Sequence, residues 1–261
     1  MAGTWTTREE APLARESLLA VLENRIPAIR IRNFATREEC AAFATAARAG
    51  KLKYYRITPP VAYIGMAQYE YRWDRPKTDY FHDVLEANAN LELVTAASFD
   101  PIARLIRHLQ AVYAAPVGIA NEAGFGAYYA GIVRLAGQGI SLHADYAPFN
   151  TPNYSIGSID AQLGWNFFAE QPGDGGNTTV HNLPWTPAVR ADEIPQSYDL
   201  PRDTVAGATT FTYPPTAGDV VIFNSRNPHE VIGGPPVAGR DRISMGSFLG
   251  RMPDRSLVMW S

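Results

Sequence analysis

Cysteine is almost missing from these 261 residues. Cys40 stands alone, so no disulfide framework can hold the fold and its stability has to come from a buried core. A lone thiol fits a reducing cytosol, and a cytoplasmic location is expected. No apolar run approaches the roughly 20 residues of a membrane span. The N-terminus shows no basic segment followed by an apolar one, so no signal peptide is read there. Excess positive charge is absent as well. With 23 Lys and Arg against 26 Asp and Glu, the formal net charge is −3, which argues against nucleic acid or a membrane surface as partner. No internal repeat and no linker divides the chain. Apolar residues, in contrast, make up 46%, enough for a sizeable core. The 21 glycines and 20 prolines cluster after Ala115, which favours a turn-rich β architecture there.

Leucines 13, 18, 19 and 22 fall close to helical spacing and predict a helix over 8–24, with Pro12 near its first turn. Residues 26–34 alternate apolar and basic side chains, as a half-buried strand does. Thr36-Arg37-Glu38-Glu39 has the form of a capping box, and the helix it opens should stop at Gly50, with Cys40 packed along it. Residues 53–83 gather Tyr54, Tyr55, Tyr63, Tyr69, Tyr71, Trp73, Tyr80 and Phe81 among Arg56, Arg72, Arg75 and Lys77. Such a stretch is either a packed surface connection or a substrate wall whose arginines hold an anionic group. Asp100-Pro101 starts a further helix, as N-cap and first residue. Beyond Pro116, short strands are predicted near 125–135, 139–144, 163–170, 177–182, 208–213, 218–224 and 241–250, with a turn at 172–176 between two of them. The expected fold is mainly β with flanking helices (α+β). Its core is a double-stranded β-helix of the jelly-roll or cupin kind over 116–261. A helical, lid-bearing part over 1–115 buttresses it, the whole forming one domain over 1–261.

The chain has five histidines. His82 adjoins Asp83, His108 sits in a helix and His181 lies on a strand, and these three read as structural. His143 is different. In Ser141-Leu142-His143-Ala144-Asp145 an imidazole and a carboxylate stand two positions apart, on one face of a strand. A borderline nitrogen and a hard oxygen suit a divalent first-row metal, and a second histidine would complete a facial triad with open positions. Gly218–Asn224 reads as a turn and a buried strand, after which a short loop containing Pro228 delivers His229. Further on, Arg242 and Ser244 share one strand face. A guanidinium fork beside a hydroxyl is a good receptor for a buried carboxylate.

HADYAPFN, GDVVIFNSRNPHEV and RDRIS together resemble the HxD…H…RxS signature of the Fe(II)/2-oxoglutarate-dependent oxygenases. More narrowly, the chain resembles the small bacterial members that act on free small molecules. These include hydroxylases of N-substituted amino acids and carrier-independent halogenases of indole alkaloids and nucleotides. The likeness to the alkaloid halogenases extends to AGIVRLAGQGISLHADY, FFAEQPGDGGNTTVHNLPW and GSFLGRMPDRSLVMWS. The resemblance implies Fe(II) held by His143, Asp145 and His229, and 2-oxoglutarate with its distal carboxylate on Arg242 aided by Ser244. It implies O2 as oxidant and succinate and CO2 as co-products. Arg134 and Asn166, on flanking strands, are candidates to touch cosubstrate or substrate, and read equally well as structural partners. In those halogenases a glycine replaces the carboxylate ligand and opens a place for chloride. Asp145 is retained here, so the resemblance implies hydroxylation of an unactivated C–H bond rather than halogenation. The substrate implied is a free small molecule of specialised metabolism: an amino acid derivative, an alkaloid or a nucleoside-type compound. Desaturation, cyclisation or epimerisation with the same cofactors is the alternative. More distant rivals are a cupin-type metal dioxygenase without 2-oxoglutarate and a non-catalytic metabolite-binding jelly roll. Segments 147–158 and 53–81 are candidate lids over the substrate.

Overall fold

A computed structural model describes residues 4–55, 61–72, 75–137, 139–186, 199–235 and 240–261. Among these, nine strands form one sheet and four form a second. The larger sheet runs Ala28–Ile31, Val220–Asn224, Ala161–Glu170 and Ile243–Arg251 in antiparallel neighbours. The last of these pairs with Ile132–Leu135 along one half and Leu257–Trp260 along the other. Ala62–Ile64, Lys53–Tyr54 and Val117–Ile119 complete it. The smaller sheet has the order Thr210–Tyr213, Thr178–His181, His229–Val231, Ile140–His143. The two sheets face each other across a small apolar cluster of Ala28, Phe168, Val180, Tyr213, Val221 and Phe223. The opposite face of the larger sheet packs against the helices in a much bigger core. This is the jelly-roll expected from the strand series. The strands near 28–31, 53–54 and 62–64 show that the first part of the chain also extends the sheet.

The helix predicted after Thr36 forms as Arg37–Ala49. The Thr36 hydroxyl accepts from the Glu39 amide at 3.2 Å, and the Glu39 carboxylate accepts from the Thr36 amide at 2.9 Å. Cys40, Phe43, Ala44 and Ala47 form its buried stripe, and Phe43 meets Phe167 of the central strand edge-on, 5.4 Å between centroids. Burial pushes the Cys40 thiol up to about 11, so it is an inert core residue. Asp100 caps Pro101–Val112 by accepting from the amides of Ile102 and Ala103.

Two expectations need correction. The helix read over 8–24 is confined to Arg15–Leu22. The residues before it run extended beside Ala28–Ile31, with the Ala11 amide donating to Ala28 and the Arg30 amide to Ala11. Pro12, which has no N–H, suits that edge better than a helix interior. The second correction is Lys77–Thr95, a helix of 19 residues that carries His82 and Asp83 and was not expected from the sequence. Its buried face is Tyr80, Val84, Ala87, Leu91 and Val94, with Asn90 among them. Leu85 and Leu93 are exposed on its far side, which blurs the apolar stripe that would have revealed it. Trp73 and Arg56 lie outside the described residues.

Candidate metal centre and carboxylate anchor

His143 is the last residue of the strand Ile140–His143, and His229 opens the neighbouring strand His229–Val231 rather than ending a loop. The two are direct cross-strand partners, which brings their rings to 4.2 Å between centroids. Asp145 lies just beyond its strand, where its amide donates to the Ser225 carbonyl at 3.0 Å. One Asp145 carboxylate oxygen stands 3.8 Å from His143 Nε2 and 3.5 Å from His229 Nε2. The three ligand atoms lie within 4.8 Å of one another, and all three residues are buried. Each imidazole is held from behind. His143 Nδ1 meets the Ser141 carbonyl at 2.6 Å, and His229 Nδ1 meets the Asn227 carbonyl at 2.9 Å. A carbonyl accepts only from a protonated nitrogen, so each ring carries a proton on Nδ1 and turns its Nε2 toward one point. Burial, followed by the neighbouring His229, pushes His143 down to about 4, which keeps it neutral and ready to ligate.

The support behind His229 reaches the N-terminal segment. Asn227 donates to Asn24 Oδ1 at 2.7 Å, and the same oxygen accepts from the Trp5 indole at 3.1 Å. Asn24 sits at φ 54, a left-handed conformation that asparagine adopts more readily than most residues. None of this was legible as a motif.

Arg242 is 2% exposed and Ser244 1%. Among the described residues, the Arg242 guanidinium faces no carboxylate. It donates to the Gly176 carbonyl at 3.0 Å, to the Ser244 hydroxyl at 3.1 Å and to the Thr178 hydroxyl at 3.2 Å, and lies 5.1 Å from the Phe168 ring centroid. Burial pulls its pKa down to about 10, still cationic at neutral pH. Gly176 is required here. It sits at φ +74, and a Cβ would come within 3.3 Å of Arg242 Cδ. A buried guanidinium cradled by hydroxyls and backbone is a receptor waiting for an anion.

Arg134 and Asn166 are half-buried. Arg134 is the cross-strand partner of Ser244, and Asn166 that of Gly246. A Cβ on Gly246 would lie 2.7 Å from Asn166 Oδ1 and 3.4 Å from an Arg134 nitrogen, so a glycine there lets both side chains share one space. The Arg134 charge is felt at His143, Arg242 and Tyr55, which joins the triad and the anchor in one interior. The aromatic stretch divides. Tyr71 and Tyr80 belong to the core, whereas Tyr55 stacks on Tyr63 at 4.1 Å and lies within the field of Asp145. Tyr69, also in that field, carries the Arg72 guanidinium over its ring at 3.4 Å.

Segment 147–158 is less free than a loop. It contains the helical turns Ala147–Asn150 and Ser155–Ser158. The Ala147 amide donates to Gln162, the Tyr154 hydroxyl donates to the Tyr71 carbonyl, and Ile156 is in the core. His181 is not part of the triad and pairs with Glu230 at 3.5 Å. Thr178 and Gly176 were missed in sequence because strand pairing, not spacing, brings them to Arg242.

The chain is similar to known proteins. The family model described as "Carrier-protein-independent halogenase WelO5" matches residues 8–261. Leucinostatins biosynthesis cluster protein S of Purpureocillium lilacinum is 32% identical over 221 residues, covering 80% of this chain and 89% of that one. L-gamma-glutamyl-L-propargylglycine hydroxylase of Streptantibioticus cattleyicolor is 31% identical over 216 residues, covering 79% and 76%. Among solved structures, an N-substituted L-amino acid dioxygenase from Burkholderia ambifaria AMMD superposes with a TM-score of 0.59 at 16% identity. It covers 95% of this chain and 91% of its own, and has also been solved in complex with alpha-KG.

Proposed function

This chain belongs to the family of the carrier-protein-independent halogenase WelO5, and on that premise we propose that it is an Fe(II)/2-oxoglutarate-dependent oxygenase that hydroxylates a C–H bond of a free small molecule. The observation that carries the proposal is the convergence of His143, Asp145 and His229 in one interior with a buried Arg242 that faces no carboxylate among the described residues. Two imidazoles and one carboxylate fit a divalent first-row metal and leave places for other ligands. Bound there with 2-oxoglutarate, Fe(II) supplies the O2-dependent oxidation of a C–H bond, with release of succinate and CO2.

The chain's own residues do the rest. His143, Asp145 and His229 hold the metal, their orientation set by Ser141, Ser225 and Asn227. Arg242 and Ser244 take the distal carboxylate of 2-oxoglutarate. Phe168 beneath Arg242 and Phe223, edge-on to His229 at 4.8 Å, keep water from both. Arg134 and Asn166 orient cosubstrate or substrate, and Tyr55, Tyr63 and Tyr69 form the wall against which a substrate lies. A hydroxylase among the relatives supports hydroxylation, and so does Asp145. The relatives' names support an amino acid derivative or peptide-like substrate of specialised metabolism. A cytoplasmic location is part of the proposal, supported by a single buried thiol. Among the described residues no helix is long and apolar enough to cross a membrane, and neither membrane nor nucleic acid is proposed as a partner.

The test is a succinate-release screen over amino acids, their N-acyl derivatives, dipeptides, nucleotides and alkaloids, followed by product mass analysis. A substrate-dependent release of succinate with a mass gain of one oxygen is expected. His143→Ala and His229→Ala should each lose Fe(II) binding or nearly all turnover, and near-native turnover in either would remove the triad assignment.

A further inference from the structure

Tyr213 ends the edge strand of the smaller sheet and is 1% exposed. Its ring belongs to the apolar cluster between the sheets, against Phe168, Phe211 and Phe223. Arg30 lies 5.8 Å from the ring centroid. Yet, among the described residues, the Tyr213 hydroxyl has no hydrogen-bond partner. The Thr178 hydroxyl stands near it without reaching hydrogen-bond geometry, and already accepts from Arg242. A buried donor with no acceptor is a standing penalty that native folds avoid unless something else uses the group.

The surroundings indicate what uses it. Tyr213 is the cross-strand partner of Thr178, so both side chains project from one face, toward Arg242. The phenol and the guanidinium feel each other's charge. Other buried polar atoms without partners lie elsewhere. Trp165 Nε1 is in the helix-side core, and His181 Nδ1 is beside Glu230. Tyr213 alone among them is set against the anchor. Burial raises its pKa to about 12, so the hydroxyl keeps its proton and can donate.

We propose that the Tyr213 hydroxyl donates a hydrogen bond to the distal carboxylate of 2-oxoglutarate, completing the receptor begun by Arg242 and Ser244. This rests on the reading of Arg242 as the cosubstrate anchor. The receptor then draws on both sheets. Arg242 and Ser244 come from the larger sheet, and Tyr213 from the outermost strand of the smaller one. Closing them on one carboxylate would pin the two sheets together at that end of the barrel.

The experiment is calorimetric titration of protein loaded with Zn(II) in place of iron, which blocks turnover. The ligands are 2-oxoglutarate and 2-oxobutyrate, a 2-oxo acid without the distal carboxylate. Tyr213→Phe should weaken 2-oxoglutarate binding about tenfold. It should leave 2-oxobutyrate binding unchanged and leave the thermal midpoint of the ligand-free protein the same or higher. Equal binding of 2-oxoglutarate by wild type and variant overturns the proposal. So does equal weakening of both ligands, which would mean general damage. A Tyr213→Phe protein that does not fold also overturns it, because the hydroxyl would then have a structural partner. Wild-type protein that binds 2-oxoglutarate no better than 2-oxobutyrate would instead overturn the anchor reading of Arg242 itself.

Discussion

At the scale of a single residue, the proposed reading turns on Asp145. As a metal ligand, its carboxylate would take the position that the halogenases resembled by this chain leave to chloride, and a second anion beside it on the same metal face would be repelled. Wild-type protein is therefore expected to give an oxygenated product at any chloride concentration. Asp145→Gly should weaken iron binding, strongly reduce hydroxylation and yield at most a minor chlorinated product. Mass analysis in excess chloride checks both, and a chlorinated main product from wild type would refute this reading of Asp145. Arg242→Lys keeps the charge and loses the fork. The apparent KM for 2-oxoglutarate should rise much more than that for the substrate, as steady-state kinetics with each varied in turn will show. His143, Asp145, Arg242 and Ser244 were legible because spacing by two puts side chains on one strand face. Tyr213, Thr178 and Gly176 were not, since no local spacing joins them to position 242 and only sheet pairing does.

At the scale of elements, the capped helices were legible because Thr36, Glu39 and Asp100 announce themselves chemically. Lys77–Thr95 was not, since it begins at Pro76 without a side-chain cap and exposes two leucines. The N-terminal segment escaped for another reason. It is held by tertiary contacts that leave no periodic trace. Arg30, at the sheet edge, pairs with Glu10 at 2.8 Å and with Asp219 at 3.2 Å, and Asp219 also accepts from the Asn33 amide at 3.0 Å. Removing one member leaves a buried guanidinium short of a partner. Asp219→Ala should therefore lower the stability of the protein by about 3 kcal/mol, measured by denaturant unfolding, although Asp219 touches nothing in the metal centre.

The whole molecule carries a pH signature. Without metal, His143 is held neutral at about 4 in the fold, against an ordinary 6.5. Its pKa is depressed, so the unfolded chain binds the proton more tightly. The associated stability is fully present above about 6.5 and is lost as pH falls toward about 4, roughly 3 kcal/mol in all. Glu39, held down to about 2 by the Arg104 guanidinium, acts lower. Its contribution is present above its ordinary 4.5 and is lost as pH falls through about 2. Metal-free protein should show a thermal midpoint that declines in two stages on acidification. A bound divalent metal, which stabilises the fold and keeps His143 unprotonated there, should raise the midpoint throughout and leave the first decline at least as steep. Scanning calorimetry from pH 8 to 2 with and without Zn(II) measures this, and a flat profile between pH 7 and 5 in metal-free protein would contradict the assignment. The architecture itself was legible at this scale, since turn-separated strands after Pro116 left few alternatives to a jelly roll.

The contact from Asn227 to Asn24 and Trp5 has a practical side. Because the carbonyl that orients His229 belongs to a residue moored on Asn24 and, through it, on Trp5, those positions are a poor place for surgery. Random libraries that treat Trp5 and Asn24 as neutral padding would act at a distance on the orientation of His229. Ser261 offers no easier refuge, for its hydroxyl accepts from the Gly131 amide at 2.9 Å inside the core. Engineers seeking a new substrate range should leave these residues intact and place their diversity along the tyrosine-rich wall between them.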